Sequence, residues 1–369
     1  MKIDLIILHH VRMRLKSPFE TSFGRIESRD AIIIEARSGG LLGLGECVAD
    51  RHPGYSYETS ITAWHIIKDY LAPMAVDTPI DSPDELQQKM SSIRGHPMAK
   101  AGLEMAIWDL FARQQGIPLA EALAGVRTRV EVGVSIGIQN SIPELIATVS
   151  DFLDQGYRRI KIKIKPGCDI RETKAVRQAF PDIPLQVDAN SAYTLDSAKR
   201  LLPLDDLNLQ LIEQPLAEDD LWDHHRLQKG LKTPICLDES IQSPRHARQA
   251  LEMKACGVVN IKAGRVGGLL PAREIHDICL QAGLPVWCGG MLETGVGRAA
   301  NLALASLQNF VLPGDISATD RYYDQDITKE RFTLNPDSTI DVPNKPGLGV
   351  ELEPEALKNV RINKAMIKS

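Results

Sequence analysis

The chain reads as an α/β protein, a parallel barrel joined to a smaller α+β unit, and three observations predict it. Five charged residues, Lys163, Asp188, Glu213, Asp238 and Lys262, follow one another at intervals of 25, 25, 25 and 24 residues. Each ends a short apolar run: RIKIKIK, PLQVDAN, LQLIEQP, PICLDES, VVNIKAG. A strand, a loop and a helix together fill about that length. In a parallel barrel such units bring successive strand ends to one rim. The second observation is parity. Strand side chains alternate faces, so Ile160, Ile162 and Ile164 share one face and Lys161 and Lys163 the other. The same rule points Asp238 inward with Cys236, and Lys262 with Asn260. The third is that the first 125 residues lack this period and show hairpin and helix patterns instead.

In chain order, VRMRL alternates as a strand, and AIIIEARSGGLLGLGEC reads as two strands joined by a Gly-Gly turn. The glycines at 39, 40, 43 and 45 have the wrong spacing for a nucleotide loop, and Glu46 follows where a helix should start. Residues 56–125 read as helices. The clearest runs from Met98 to Gln115, with Leu103, Ile107, Leu110 and Phe111 at helical spacing and Gly116-Ile117-Pro118 as its stop. Trp64 and Trp108 fall at such spacings and read as packing. From residue 126 strands and helices alternate. Barrel strands are expected at 130–137, 159–164, 184–188, 208–213, 234–238, 257–262 and 284–288, with a weak eighth near 310–315. The tail 331–369 returns to short strands and turns and is expected to pack back on the N-terminal unit. The division is therefore 1–125, completed by 331–369, and 126–330.

Composition narrows the function classes. The 369 residues are 43% hydrophobic and 25% charged, with net charge −5, as in an ordinary globular enzyme. No basic field for nucleic acid is present, and no apolar run approaches membrane-spanning length. MKIDLIILHHVRMRLKS is interrupted by charges and lacks a small-residue cleavage site, so it reads as a first strand rather than a signal peptide. Six cysteines without CxxC pairing suit reduced, buried thiols. A cytoplasmic location is the expectation.

Charges inside a barrel are strongly disfavoured unless they face one another or a metal. Asp188, Glu213 and Asp238 are hard oxygen ligands, and without His or Cys they favour Mg²⁺ or Mn²⁺ over Zn²⁺. Such a site suits a carboxylate substrate that loses its α-proton, because the cation offsets the charge that develops. Lys163 is placed as the base and Lys262 across from it. A lysine must be neutral to act as a base, and burial, a metal ion and the neighbouring Lys161 would all lower the pKa of Lys163.

The Lys161/Lys163 pair, VDAN at Asp188–Asn190, IEQP at Glu213, LDES at Asp238–Glu239 and the NIKAGRVGG around Lys262 resemble the enolase superfamily, within it the muconate-lactonizing subgroup. The resemblance covers essentially the whole chain and implies an α+β capping domain on a modified TIM barrel, (β/α)7β. TPICLDESI, VVNIKAGRVGG, PVWCGGMLETGVGRAANLALASLQNFVLPGDISATDRYY and PNKPGLGV resemble the o-succinylbenzoate synthases that also act as N-succinylamino acid racemases. Mandelate-racemase-like members use a His near the seventh strand, where this chain has Trp287-Cys288-Gly289. Dipeptide epimerases carry DxD near the eighth, where it has GDISATD.

The resemblance implies that Lys163 abstracts the proton α to the substrate carboxylate. Lys262 then acts as a fixed cation in the dehydration and as the opposite-face acid/base in racemization. Arg265 would tune Lys262, since a neighbouring cation lowers a lysine's pKa. The succinyl arm would lie near Phe19, Ser22 and Tyr55. Ser135 and Asn190 are expected to bond substrate or metal waters, Glu239 to orient Lys262 or balance its charge, and Gly290, Met291 and Leu292 to line the pocket. The implied partners are a small carboxylate bearing a succinyl group and further copies of the chain, not nucleic acid or membrane. The competing readings are a muconate cycloisomerase or another acid/sugar dehydratase, a Schiff-base lyase, and a metal-binding barrel without turnover.

Overall fold

The computed structural model describes residues 1–368. Strands β1 (Leu5–Thr21), β2 (Gly24–Ser38) and β3 (Leu41–Cys47) form an antiparallel meander, with Gly39 and Gly40 turning the second hairpin at φ +53° and +84°. Both faces are covered, which is why AIIIEA reads as continuous rather than alternating. Ile6, Leu8, Ile32 and Ile34 pack on the cap helices, while Val11, Met13 and Ile33 pack on Tyr322, Tyr323 and Leu357.

The helices follow between Ser60 and Gln115, the longest being Pro97–Gln115, ended by Gly116 at φ +71°. The glycine cluster is explained here. A Cβ on Gly43 would lie 2.2 Å from the Ala106 carbonyl oxygen, and one on Gly45 2.1 Å from that of Gly102. β3 therefore lies directly on the backbone of the long helix, an approach that only glycine permits.

β4 (Arg129–Glu131) precedes the barrel. β5 (Gly133–Ile136), β6 (Arg159–Lys163), β7 (Leu185–Asp188), β8 (Leu211–Glu213), β9 (Ile235–Leu237), β10 (Val258–Ile261) and β11 (Val286–Cys288) form one parallel sheet in chain order. The eighth position differs from expectation. Residues 310–315 form no regular strand, because Pro313 has no N–H to give. They still close the ring through parallel bridges Val286↔Phe310 and Val132↔Gly314. The tail serves two sheets. β12 (Thr339–Asp341) pairs with β4 beneath the barrel, and β13 (Arg361–Lys368) adds an edge strand to β1.

Three buried glutamates cap helix N-termini, two of them between the units. Glu104 of the long helix accepts from the backbone N–H of Leu269 (2.7 Å) and Leu270 (2.8 Å) and from the Trp108 indole (2.9 Å). Glu46, at the end of β3, accepts from Thr294 N–H and hydroxyl and from Gly297 N–H. Glu58 accepts from Met98 and Ala99 N–H. A carboxylate at a helix N-terminus meets orphan donors and the positive dipole end. No described helix is long and apolar enough to cross a membrane.

Candidate active site

The 25-residue period is a strand register. Lys163 pairs with Asp188, and Asp188 with Glu213, across β6–β8. Register partners in a parallel sheet share a face, so all three turn inward. The pairing then shifts, with Glu213 opposite Cys236, which puts Asp238 two residues further along at the same parity. Below them Leu211, Cys236, Val258 and Trp287 form an apolar plug inside the ring.

Lys161 and Lys163 hold different posts. Lys161 is 2% exposed. Its ammonium lies 2.5 Å from Glu213 Oε2, 2.6 Å from Asp315 Oδ2 and 3.3 Å from Asp188 Oδ2, above the Trp287 ring. Lys163 sits nearer the mouth and donates to Asp188 Oδ2 and Asn190 Oδ1, both at 2.6 Å. Across the ring, four strands away, Lys262 donates to Asp238 Oδ2 (2.8 Å) and to the Tyr55 hydroxyl (3.1 Å). Arg265 is buried against Asp238 Oδ1 and fixed by the carbonyls of Ile241 (2.7 Å) and Asn260 (2.6 Å).

The electrostatics of the rim set burial against ion pairing. Burial works against the charge on Lys161 and on Lys262, yet the carboxylates win and both are pushed up: Lys161 by Asp315, Glu213 and Asp188, Lys262 by Asp238 and Tyr55. Arg265 acts on Lys262 in the expected lowering direction but is outweighed by Asp238. Burial alone would raise Asp188, and Lys163 and Lys161 hold it low instead. Glu213 is raised, by burial first and then by Asp188.

Among the described residues no three acidic, His or Cys side chains converge to hold a metal ion as they stand, since each rim carboxylate is turned to a cation. The donor set nevertheless fits a hard dication: every ligand atom is oxygen. Burial and the neighbouring Asp188 and Asp238 hold Glu213 above the usual carboxylate range despite Lys161, a crowding of acidic groups that a dication would offset, and Glu239 Oε2 is buried without a partner.

A cavity of about 210 Å³ opens over this rim. Lys161, Lys163, Asp188, Asn190, Lys262, Ser135, Gly290, Met291 and Leu292 line it from the barrel. From the cap come Phe19, Tyr55 and, unforeseen in the sequence, Arg29, Asp50 and His52. The Ser135 hydroxyl is buried with no partner. Ser22 is not a wall residue: its hydroxyl donates to the Asn190 carbonyl (3.0 Å), fastening the β1–β2 turn to the barrel. Tyr55 fastens the next cap loop by donating to Asp238 Oδ1 (2.8 Å). Glu239 does not hydrogen-bond Lys262. It accepts from Asn190 Nδ2 at 2.9 Å and lines a second cavity behind Tyr55.

Two inward groups were missed as site residues. Asn260 donates to Glu213 Oε1 (2.7 Å), and its parity with Lys262 was the available signal. Asp315 lies between Lys161 and Arg159, at 2.6 Å from each. Its signal was its place at the end of the irregular eighth segment.

A barrel rim of three carboxylates between two lysines, beneath an α+β cap, defines a class of carboxylate-enolizing enzymes. Comparison with known proteins agrees. Residues 2–124 match the mandelate racemase / muconate lactonizing enzyme N-terminal domain, and residues 144–356 the enolase C-terminal domain-like family. The chain belongs to the enolase superfamily, whose enzymes use a divalent metal, generally Mg²⁺. It is 51% identical over 352 residues to an o-succinylbenzoate synthase of Geobacillus kaustophilus, covering 95% of this chain and 94% of that one. It is 48% identical over 370 residues to an N-succinylamino acid racemase of Amycolatopsis sp, covering 100% of both. A solved enolase-superfamily member from Listeria innocua superposes with TM-score 0.96 at 42% identity, covering 100% of this chain and 99% of that one.

Proposed function

We propose that this chain is an o-succinylbenzoate synthase that also racemizes N-succinylamino acids, both through removal of the proton α to a substrate carboxylate. One observation carries the reading: Lys163 and Lys262, on strands across the ring from each other, face one cavity whose floor is carboxylates. Asp188, Glu213 and Asp238 would hold Mg²⁺, with Mn²⁺ as a substitute. When bound, the cation supplies the positive charge that acidifies the α-proton and offsets the charge growing on the substrate carboxylate.

Lys163 takes the α-proton from its side. In the synthase reaction the ammonium so formed returns that proton to the departing hydroxide on the same face, while Lys262 remains a fixed cation. In the racemase reaction Lys262 delivers a proton to the opposite face, and the two lysines exchange roles for the other enantiomer. Lys161, held by three carboxylates, stays charged and keeps the floor in place. Phe19 and Tyr55 wall the space for the succinyl arm, and the two cap fastenings exclude water from the reacting carbon. The chain divides functionally into a cap of 1–125 with 331–369 and a catalytic barrel of 126–330.

The test is direct. Purified protein with Mg²⁺ should dehydrate the synthase substrate in an ultraviolet assay. It should also exchange the α-protons of both N-succinyl-L- and N-succinyl-D-phenylalanine in D₂O by proton NMR. Absence of both activities defeats the reading. The subunits are expected to self-associate, and sedimentation equilibrium showing a stable 40.7 kDa monomer at micromolar concentration would refute that part alone.

A further inference from the structure

We infer that Asn190 and Glu239 are positioning residues for Lys163 and have no such role toward Lys262. The inference rests on the proposed α-proton chemistry and assigns Glu239 to the opposite lysine from the one its sequence position suggests. Lys163 donates to Asn190 Oδ1 at 2.6 Å, and Asn190 Nδ2 donates to Glu239 Oε1 at 2.9 Å. The amide orientation is set at the lysine end: the Lys163 ammonium has only donors, so Asn190 shows it the oxygen and turns its NH₂ to Glu239 Oε1. With Asp188 Oδ2 at 2.6 Å as the second contact, the ammonium is held from two sides. Lys262 draws on a separate set, Asp238 and Tyr55, and no ion pair among the described residues joins it to Glu239.

The packing of Glu239 argues against a merely structural carboxylate. Glu46, Glu58 and Glu104 each accept two or three hydrogen bonds at a helix end. Glu239 is 6% exposed, yet its side chain has one partner, Asn190, and its Oε2 has none. A carboxyl group buried for a single hydrogen bond is expensive as architecture and makes sense as a brace for what that bond orients. Asn190 also has φ +42°, a region Asn tolerates, so a backbone requirement must be separated from the side-chain role. Asn190→Gly does so, because glycine keeps the left-handed backbone and removes only the amide.

The experiment follows α-proton exchange of each N-succinylphenylalanine enantiomer in D₂O with the Mg²⁺-loaded full-length protein. Lys163→Ala and Lys262→Ala establish which enantiomer depends on which lysine. Asn190→Gly and Glu239→Leu should each lower kcat for the Lys163-dependent enantiomer by about 10–100-fold, the scale of a misplaced reacting group. KM and the other enantiomer should stay within about twofold. Glu239→Gln retains an acceptor for the Asn190 amide and should restore most of the rate. Equal loss on both enantiomers, a wild-type rate in Asn190→Gly, or Glu239→Gln as impaired as Glu239→Leu would each overturn the inference. Because the two links are replaced independently, a variant that fails to fold leaves the other to decide. Failure of the wild-type protein to exchange either proton would instead count against the proposed function.

Discussion

Replacing Asp315 by Asn tests whether the charges under the site are held as an interdependent set. The amide is nearly isosteric, so packing is conserved and the charge alone is removed. Asp315 is buried, and its two oxygens lie 2.6 Å from Arg159 and 2.6 Å from Lys161. Burial would raise its pKa, but Lys161 and Arg159 hold it well below the usual carboxylate range. Removing one partner of such a buried pair strands the other charges, at a cost of about 3–5 kcal/mol. An unfolding entropy of about 2.1 cal/mol/K per residue over 369 residues amounts to roughly 0.8 kcal/mol per degree. Tm should therefore fall by about 4–6 °C in a thermal melt followed by circular dichroism. The molecule supplies its own control. Arg129 and Asp341 make the same kind of pair at 2.9 Å, but with side chains 59% and 67% exposed, and Asp341→Asn should change stability by less than about 1 kcal/mol. A Tm for Asp315→Asn within about a degree of the parent, or equal to that of Asp341→Asn, would refute the reasoning.

Three further outcomes are expected. Asp238→Asn should lower kcat/KM at least about 100-fold, as loss of an electrostatic centre does, and exhaustive chelation should abolish both activities; full activity after chelation would remove the metal from the reading. Lys262→Arg should lose racemization, because a guanidinium cannot act as a base, yet retain part of the dehydration, for which the cation is enough; parallel ultraviolet and NMR assays separate the two. Glu46 is lifted to about 7 from the usual 4.5, chiefly by burial and against the pull of the Thr294 hydroxyl. A raised folded-state pKa means stability present below about pH 4.5 and lost as pH rises through 7. The Tm of Glu46→Gln relative to the parent should therefore increase between pH 5 and 8, by up to about 3 kcal/mol equivalent, and a flat difference would show that Glu46 does not titrate there.

The rim was legible in the sequence for a physical reason: Lys163, Asp188 and Glu213 are register partners, and parallel pairing turns an equal interval into one shared face. Asp238 kept the pattern because the shift beyond Glu213 was by two residues, which preserves parity. Asp315 escaped because Pro313 and Gly314 break the strand pattern before it, though the segment still bridges both neighbours. Glu239, expected beside Lys262, hydrogen-bonds Asn190 instead, because it lies beyond the strand, where loop geometry decides direction. The cap walls Arg29, Asp50 and His52 were invisible for a related reason: nothing local to β2 or the 50s loop says which barrel residues they will meet.

The two cap fastenings set unequal limits on how this scaffold could be retailored. The β1–β2 turn reaches the barrel through Ser22 and the Asn190 carbonyl, a backbone acceptor that any nearby donor could use. Apart from Phe19, whose ring lies 6.0 Å from the Lys163 ammonium, its lining residues can therefore drift toward new acyl groups while the proton chemistry beneath stays intact. The 50s loop is different, since Tyr55 grips Asp238 itself and touches Lys262. A change there alters the wall and the machinery together. Directed evolution for new substrates should accumulate its tolerated changes around residues 22–26 and leave position 55 nearly untouched.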